Sequence, residues 1–397
     1  MFFSFNHASV AVYCDFNSVE NAILTRIGHD FESAFDITDF AREGRFARDI
    51  NYDYSATISK TALLVDGEDA CRQRIDFSCE NGAIVDPGIS CWLGIRDGSK
   101  SKAWAGTSED NMCPCGALGS CFDSSQSCNC DGVQTTIHED NGWVTDRSKL
   151  PIKQMRAGGV PFGTTATVKV GKLECFKEDS GSSPPESCYE IKQNGDSIAG
   201  DYLIDPDGSD GEEPFVVYCD PSFNSTHAQM IIHHDSEDRT HVVDKASAGD
   251  YQKMVTYDGV TIEQFDALFS NNISDVYIAC VQTIQYECYA STLLKNDMSW
   301  FVDRLGAPRT NFGVANESVS SCPCGIDGSC SSASELCNCD FDAISWAEDS
   351  GDINDFSATF LPVTQLRFGD TAGGVGNEEG YHTLGPLVCS AGPSKYE

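Results

Sequence analysis

The chain has 397 residues, with 26 Lys and Arg against 61 Asp and Glu, and 20 Cys. A formal charge of −35 excludes nucleic acid and anionic lipid surfaces as partners, since both need clustered Lys and Arg. The 40 % hydrophobic content excludes a disordered chain, and the length predicts two or three domains at about 150 residues each.

No apolar run reaches the roughly 18 residues of a transmembrane helix. Dense, even-numbered Cys in an acidic, Gly-rich chain places it in an oxidising, extracellular compartment. Sequons at Asn224, Asn272 and Asn316 agree with that placement. Residues 1–5 lack a basic region and a small-residue cleavage site, so they read as a poor signal peptide.

In chain order, the first well-marked element is Phe215–Cys219, a β-branched and aromatic run between Pro214 and Pro221 that predicts a strand. Residues 229–234 predict a second. Residues 261–269 predict a helix, opened by a Thr261–Gln264 capping box, with Ile262, Phe265, Leu268 and Phe269 on one face. Cys280–Cys288 alternates as a strand. After Trp300 the Gly, Ser, Asp and Cys content predicts disulfide-held loops with little regular structure. Strands and helices without a βαβα rhythm give an α+β fold.

The chain is internally duplicated. Cys113, Cys115, Cys121, Cys128 and Cys130 follow C-x-C-x5-C-x6-C-x-C, and Cys322, Cys324, Cys330, Cys337 and Cys339 repeat it 209 residues later. Val12-Tyr13-Cys14-Asp15 matches Val217-Tyr218-Cys219-Asp220, His29-Asp30 matches His234-Asp235, and Leu150-Pro151 matches Leu361-Pro362. A period of 205–214 residues is a domain duplication, far longer than a solenoid repeat of about 20–50. The domains read as 1–176 and 188–392, joined by a Ser/Gly/Pro linker at 177–187 and followed by a tail at 393–397. Cys14 matches Cys219 but has no upstream mate matching Cys188. Two readings stand: a fragment whose preceding sequence is absent, or a rearranged Cys14–Cys91 bridge.

Residues 187–191, 200–208 and 215–220 resemble the opening of a fibrinogen C-terminal-type domain. Residues 230–235, 284–288 and 300–304, the motifs Cys322-Pro323-Cys324-Gly325 and Cys337-Asn338-Cys339-Asp340, Trp346, and residues 361–371 and 385–389 resemble most the divergent fibrinogen-like domain of contactin-associated, neurexin-type proteins. The resemblance covers nearly all of the second repeat and, less tightly, the first. It implies two tandem disulfide-rich fibrinogen-like domains.

Zinc is an unsuitable reading of the Cys clusters: five is an odd ligand count and no His completes a tetrahedron. A disulfide knot is expected instead, with each cluster joined by Cys175 or Cys389. Cys188–Cys219, Cys280–Cys288 and Cys71–Cys79 are the expected bridges elsewhere. His29 and the group His227, His233, His234 and His241 read as core-edge residues rather than ligands. Two acidic stretches are candidates for calcium, a hard cation that takes oxygen ligands: Asp205, Asp207 and Asp210, and, after the knot, Asp340, Asp342, Asp349, Asp352 and Asp355. No G-x-S-x-G, H-E-x-x-H or P-loop occurs, so no enzyme is expected. The expected function is extracellular recognition, adhesion or matrix assembly through protein contacts. The alternatives are a calcium-dependent lectin-like glycan binder and an acidic structural matrix protein.

Overall fold

The computed structural model describes every residue except 1, 6–7, 41, 54–55, 86–90, 105, 108, 133–136, 179–182, 209–210, 270–276, 315–317, 356–357, 373–376 and 394–397. Asn272, Asn316 and Asp210 therefore lie outside the described residues. The chain forms two compact units, Met1–Ser222 with Gly259–Ser274, and Phe223–Asp258 with Asp275–Glu397.

In the first unit, β1 (Tyr13–Asp15), β2 (Ala22–Ile27), β3 (Phe35–Phe40), β5 (Ala70–Glu80), β7 (His138–Glu139) and β9 (Val160–Glu178) build the main antiparallel sheet. Its order is β7-β5-β9-β2-β1, with β3 also on β9. A smaller sheet joins β4 (Phe46–Asp49), β8 (Gln154–Ala157) and β6 (Trp92–Gly94). Period-two burial explains β5: Cys71, Gln73, Ile75, Phe77 and Cys79 point inward, while Arg72, Arg74, Asp76 and Ser78 remain half-exposed. Among the short helices of the unit are α1 (Ile58–Val65), α2 (Cys188–Gln193) and α3 (Ile262–Phe269). The Thr57 and Ser187 side chains cap α1 and α2. At α3 the expected capping box is present: Gln264 N donates to Thr261 Oγ1 (3.2 Å) and Thr261 N donates to Gln264 Oε1 (2.9 Å).

The hairpin of β10 (Gly200–Ile204) and β11 (Phe215–Asp220) belongs to this unit as well. Leu203 and Val216 pack against Val19, Leu24, Ala70 and Phe176. Asn21 both donates to Leu203 O and accepts from Leu203 N. These contacts carry the first compact unit past the 177–187 segment to residue 222.

The second unit repeats the plan. Its main sheet runs β12 (Ala228–Ile232), β20 (Leu387–Gly392), β15 (Tyr277–Tyr289), β19 (Glu379–Leu384), β13 (Thr240–Val242), with β17 (Trp346–Asp355) also on β15. The smaller sheet joins β14 (Tyr251–Met254), β18 (Gln365–Phe368) and β16 (Trp300–Val302). The 19-residue β9 of the first unit corresponds to β19 and β20 together. Where β9 shifts register at Gly171-Lys172, the second unit has Gly385-Pro386, and the strand ends there because Pro has no N–H for the ladder.

The expected α+β fold is corrected in proportion. Most of the regular structure among the described residues is antiparallel strand, and no α-helix there exceeds eight residues. The region after Trp300 is also more regular than its composition predicts. Residues 346–355 form a ten-residue strand paired with β15 throughout. Ladder pairing to a long neighbour overrides the loop preference of Asp, Ser and Gly there.

Nine disulfides frame the two units. Cys188–Cys219 forms as expected. Cys280–Cys288 and Cys71–Cys79 do not. Each pair lies on one continuous strand eight residues apart, a span of about 26 Å against the roughly 4–7 Å between the Cα atoms of a disulfide. The strand and the bridge expected for Cys280–Cys288 were mutually exclusive. The actual pairs are Cys71–Cys175 and Cys280–Cys389, directly opposite in register, and Cys79–Cys130 and Cys288–Cys339. Within the clusters, Cys113–Cys128 and Cys115–Cys121 match Cys322–Cys337 and Cys324–Cys330. Cys14 and Cys91 are both unbridged. Cys91 Sγ turns into the core toward the carbonyls of Ala83 and Gly158, and burial pushes its thiol up to about 12. Cys14 faces Thr25 on the neighbouring strand.

Candidate functional site

Much of the predicted chemistry is spent on the fold, and the duplication shows it. His234 Nδ1 accepts from Ser236 N (3.1 Å), so its proton sits on Nε2, which donates to Gly385 O (2.8 Å). Gln282 Nε2 donates to the same carbonyl (3.1 Å), its Oε1 accepts from Val363 N (3.0 Å), and Tyr257 Oη donates to Val363 O (2.9 Å). His29, Gln73, Tyr52, Gly171 and Ile152 make the same set in the first unit. Burial lowers the pKa of both imidazoles, holding them neutral. His233 points the other way, exposed, to Glu237 (3.0 Å).

The acidic candidates after the knot do not converge on one point. Asp340 Oδ1 accepts backbone N–H groups of Leu293, Leu294 and Lys295 at 2.9–3.0 Å, as Asp131 does from Ile84 and Val85. Asp349 accepts from Asn338 N and Cys339 N, both at 2.8 Å, as Asp140 does from Asn129 and Cys130. Asp355 takes Phe360 N (2.6 Å) and Leu361 N (3.0 Å), and Asp352 takes Thr283 Oγ1 (2.7 Å). Asp342 is an exposed left-handed residue that closes a turn. Asp140 and Asp349 also lie beside the bridged pairs Cys113–Cys128 and Cys322–Cys337, whose sulfurs are committed to each other. Asp205 is buried and Asp207 Oδ2 accepts from Glu212 N (3.0 Å). Asn224 is half-buried and its Oδ1 accepts from Thr226 N and His227 N.

One buried polar pair of the second unit has apolar counterparts in the first. In the second unit Tyr251 Oη meets His382 Nε2 at 2.7 Å beside Phe368. The matching positions of the first unit hold Phe46 and Val168. Burial, then Lys253, lowers the pKa of His382 to about 3. The unfolded imidazole titrates near 6.5, so the neutral core contributes fully above that pH. It is lost progressively as acid protonates only the unfolded state, down to about pH 3. Tyr251→Phe/His382→Val should therefore remove about 2–3 kcal/mol of acid sensitivity between pH 7.5 and 4.5. Urea unfolding at the two pH values, compared with wild type, reads this difference and cancels the opposite contribution of buried carboxylates such as Glu68, which titrates at about 7.

The outer face of the second sheet carries a different kind of chemistry. Tyr289 on β15 pairs with Trp346 on β17, their rings 5.5 Å apart. Trp346 lies 5.7 Å from Tyr381 on β19, and Tyr381 stacks on His241 of β13 at 4.5 Å. Arg239 lies over the Tyr381 ring at 3.3 Å and grips Glu287 with two bonds of 2.6 and 2.8 Å. His241 Nε2 reaches Glu379 at 2.7 Å. Trp346 is 50 % exposed, and Ile344 and Phe341 stand exposed on the segment leading into β17. Four strands thus hold one aromatic ladder at the surface.

Identical registers make the first unit an internal control. There Asp36 faces Thr167 where His241 faces Tyr381, and Ser78 faces Thr167 where Glu287 faces Tyr381. By the same alignment Trp346 matches Ile137, Tyr289 matches Glu80 and Arg239 matches Ala34. The strand registers are shared and the ladder is not, so folding alone does not require it. Its positions lie on four separate strands, and only the inter-repeat comparison of outward residues could have found them from sequence.

A duplicated, disulfide-framed antiparallel β protein with one aromatic outer face is the class defined by these features. No family model matches the chain. Over 194 residues it is 31 % identical to Neurexin-4 of Drosophila melanogaster, and over 208 residues 32 % identical to Contactin-associated protein 1 of Mus musculus. The human Contactin-associated protein 1 is 31 % identical over 224 residues, 55 % of this chain. The mouse and fly alignments cover 51 % and 47 % of the chain, and the chain spans only 14–15 % of these relatives' length.

Proposed function

We propose that the chain is a tandem of fibrinogen-like domains of the contactin-associated type, 1–176 and 188–392, with the linker 177–187 and tail 393–397. It serves as a non-enzymatic extracellular recognition module, and the aromatic face of the second unit binds a protein partner. One observation carries this reading: the ladder Arg239, His241, Tyr289, Trp346 and Tyr381 is absent from the same registers of the first unit. Nine disulfides support an oxidising, extracellular compartment. Similarity to Neurexin-4 and Contactin-associated protein 1 supports contact with another extracellular protein. Tyr, Trp and Arg are the residues enriched at the energetic centres of protein interfaces.

The partner fitted by this face is a cationic protein surface. Arg239 is already held by Glu287, and Glu348 and Glu379 add negative charge around the rings in a chain of net charge −35. Lys or Arg side chains would stack on Trp346 and Tyr289 with carboxylates alongside. A panel of purified extracellular domains, intact and deglycosylated, tests this together with a glycan array. Saturable, salt-sensitive binding to basic protein domains that survives deglycosylation is expected. Binding to glycans alone would replace this reading with the lectin-like one.

A further inference from the structure

We propose that the smaller sheet of the first unit carries a binding face for a sulfated polysaccharide, built around Trp92. Arg156 on β8 stands opposite Trp92 on β6 and between buried Met155 and Ala157, so it points outward. Lys100 pairs with Gly94 on the far side of β6, and its Nζ sits 3.9 Å over the Trp92 ring. Lys102, two residues on, shares that face. The turn Arg42–Arg45, closed by Arg45 N on Arg42 O (3.2 Å), lies against the same ring: a Cβ on Gly44 would come within 1.9 Å of Trp92 Cη2. Arg156 Nη1 donates to Gly44 O (3.3 Å). Lys153 precedes β8, with its Nζ beside Gly98. Arg42, Arg45, Lys100, Lys102 and Lys153 are exposed. Among the described residues, none of the six cations has a carboxylate within ion-pair distance. Of the carboxylates nearby, Asp49 accepts from Gln154 Nε2 and Asp97 from Ser99 N, and Glu43 is exposed on the turn.

The second unit separates what the fold needs from what it does not. Gly249 lies on Trp300 as Gly44 lies on Trp92, and Arg367 is the counterpart of Arg156. The other five cations are replaced there by Ser247, Asp250, Pro308, Thr310 and Thr364. The Trp–Gly–Arg packing therefore serves the fold, and the five exposed cations do not. What the face lacks selects its ligand. Among the described residues of these strands and this turn, no large apolar side chain stands exposed, so the anchors of a protein interface are missing. Charge alone remains, which suits a polyanion whose sulfates accept charge-assisted bonds from Lys and Arg and release counterions. In the oxidising, extracellular compartment that the nine disulfides support, sulfated polysaccharides are polyanions of this kind. The chain's charge of −35 repels such a ligand at long range, but physiological salt screens charges beyond about 8 Å, leaving the local cations to act. Composition conceals the face because its cations come from three segments far apart in sequence.

Fluorescence polarisation of a labelled heparin octasaccharide, titrated with the full oxidised chain at several salt concentrations, tests the face. Saturable binding at about 0.15 M salt is expected, and fully desulfated heparin should fail to compete. Arg42→Ser/Lys102→Thr installs the second unit's residues at two exposed positions. It should weaken binding at least about tenfold. It should also flatten the slope of log affinity against log salt by roughly one unit per cation removed, with the melting temperature unchanged. Trp346→Ala/Tyr381→Thr should bind heparin as wild type does, which separates this site from the aromatic face of the second unit. The proposal is overturned if heparin does not bind saturably, if desulfated heparin competes equally, or if Arg42→Ser/Lys102→Thr keeps wild-type affinity and salt slope. Loss of heparin binding in the aromatic-face variant, or capture of an acidic protein domain by this face in place of heparin, would overturn it as well.

Discussion

Replacing Cys280 and Cys389 together by alanine is expected to lower the stability of the second unit by about 4–5 kcal/mol. The bridge joins β15 to β20 at a directly opposed register position and spans 109 residues. Tying off a loop of that length removes more freedom from the unfolded chain than any other bridge in the unit. The double variant of Cys324 and Cys330, whose bridge spans six residues, should lose only about 2 kcal/mol. Denaturant unfolding of the two variants, each compared with wild type, measures the difference. Equal losses would show that loop entropy does not govern this frame. Peptide mapping of the intact protein should recover Cys280 joined to Cys389 and not to Cys288.

The second large effect is expected at Gln282, which is fully buried. Gln282→Leu keeps the volume but leaves Val363 N–H without its acceptor and takes one donor from Gly385 O and from Tyr257 Oη. An orphaned buried donor plus two lost bonds amounts to about 3 kcal/mol. Tyr257→Phe, which loses the Val363 O bond, should cost roughly 1–2 kcal/mol. Gln73→Leu should reproduce the larger loss in the first unit, since the same bonds recur there. Thermal or urea unfolding of the three variants checks the order; a Gln282→Leu protein as stable as Tyr257→Phe would contradict the hub role.

The duplication, the α3 capping box and the strands at 215–219 and 280–288 were legible because each rests on local spacing. The bridge topology was not. Cys280 and Cys389 are brought opposite each other only by the order in which β15, β19 and β20 pair, and no local pattern encodes that order. The surroundings of the acidic residues after the knot were hidden for a related reason. Asp340 and Asp349 look like free carboxylates in sequence, yet the fold turns them onto backbone N–H groups. Their counterparts Asp131 and Asp140 were the available sign that they serve the fold. The ladder was hidden because His241, Tyr289, Trp346 and Tyr381 come from four strands far apart in sequence.

Assignment of recognition to the aromatic face is tested most directly by Trp346→Ala/Tyr381→Thr, which puts the first unit's Thr at the second position. Binding to a basic extracellular domain found in the panel would be measured beside the melting temperature. The expected result is at least about a thirtyfold loss of affinity, as for removal of two interface anchors worth about 1 kcal/mol or more each, with the melting temperature little changed. Unchanged affinity in a folded variant would contradict the assignment.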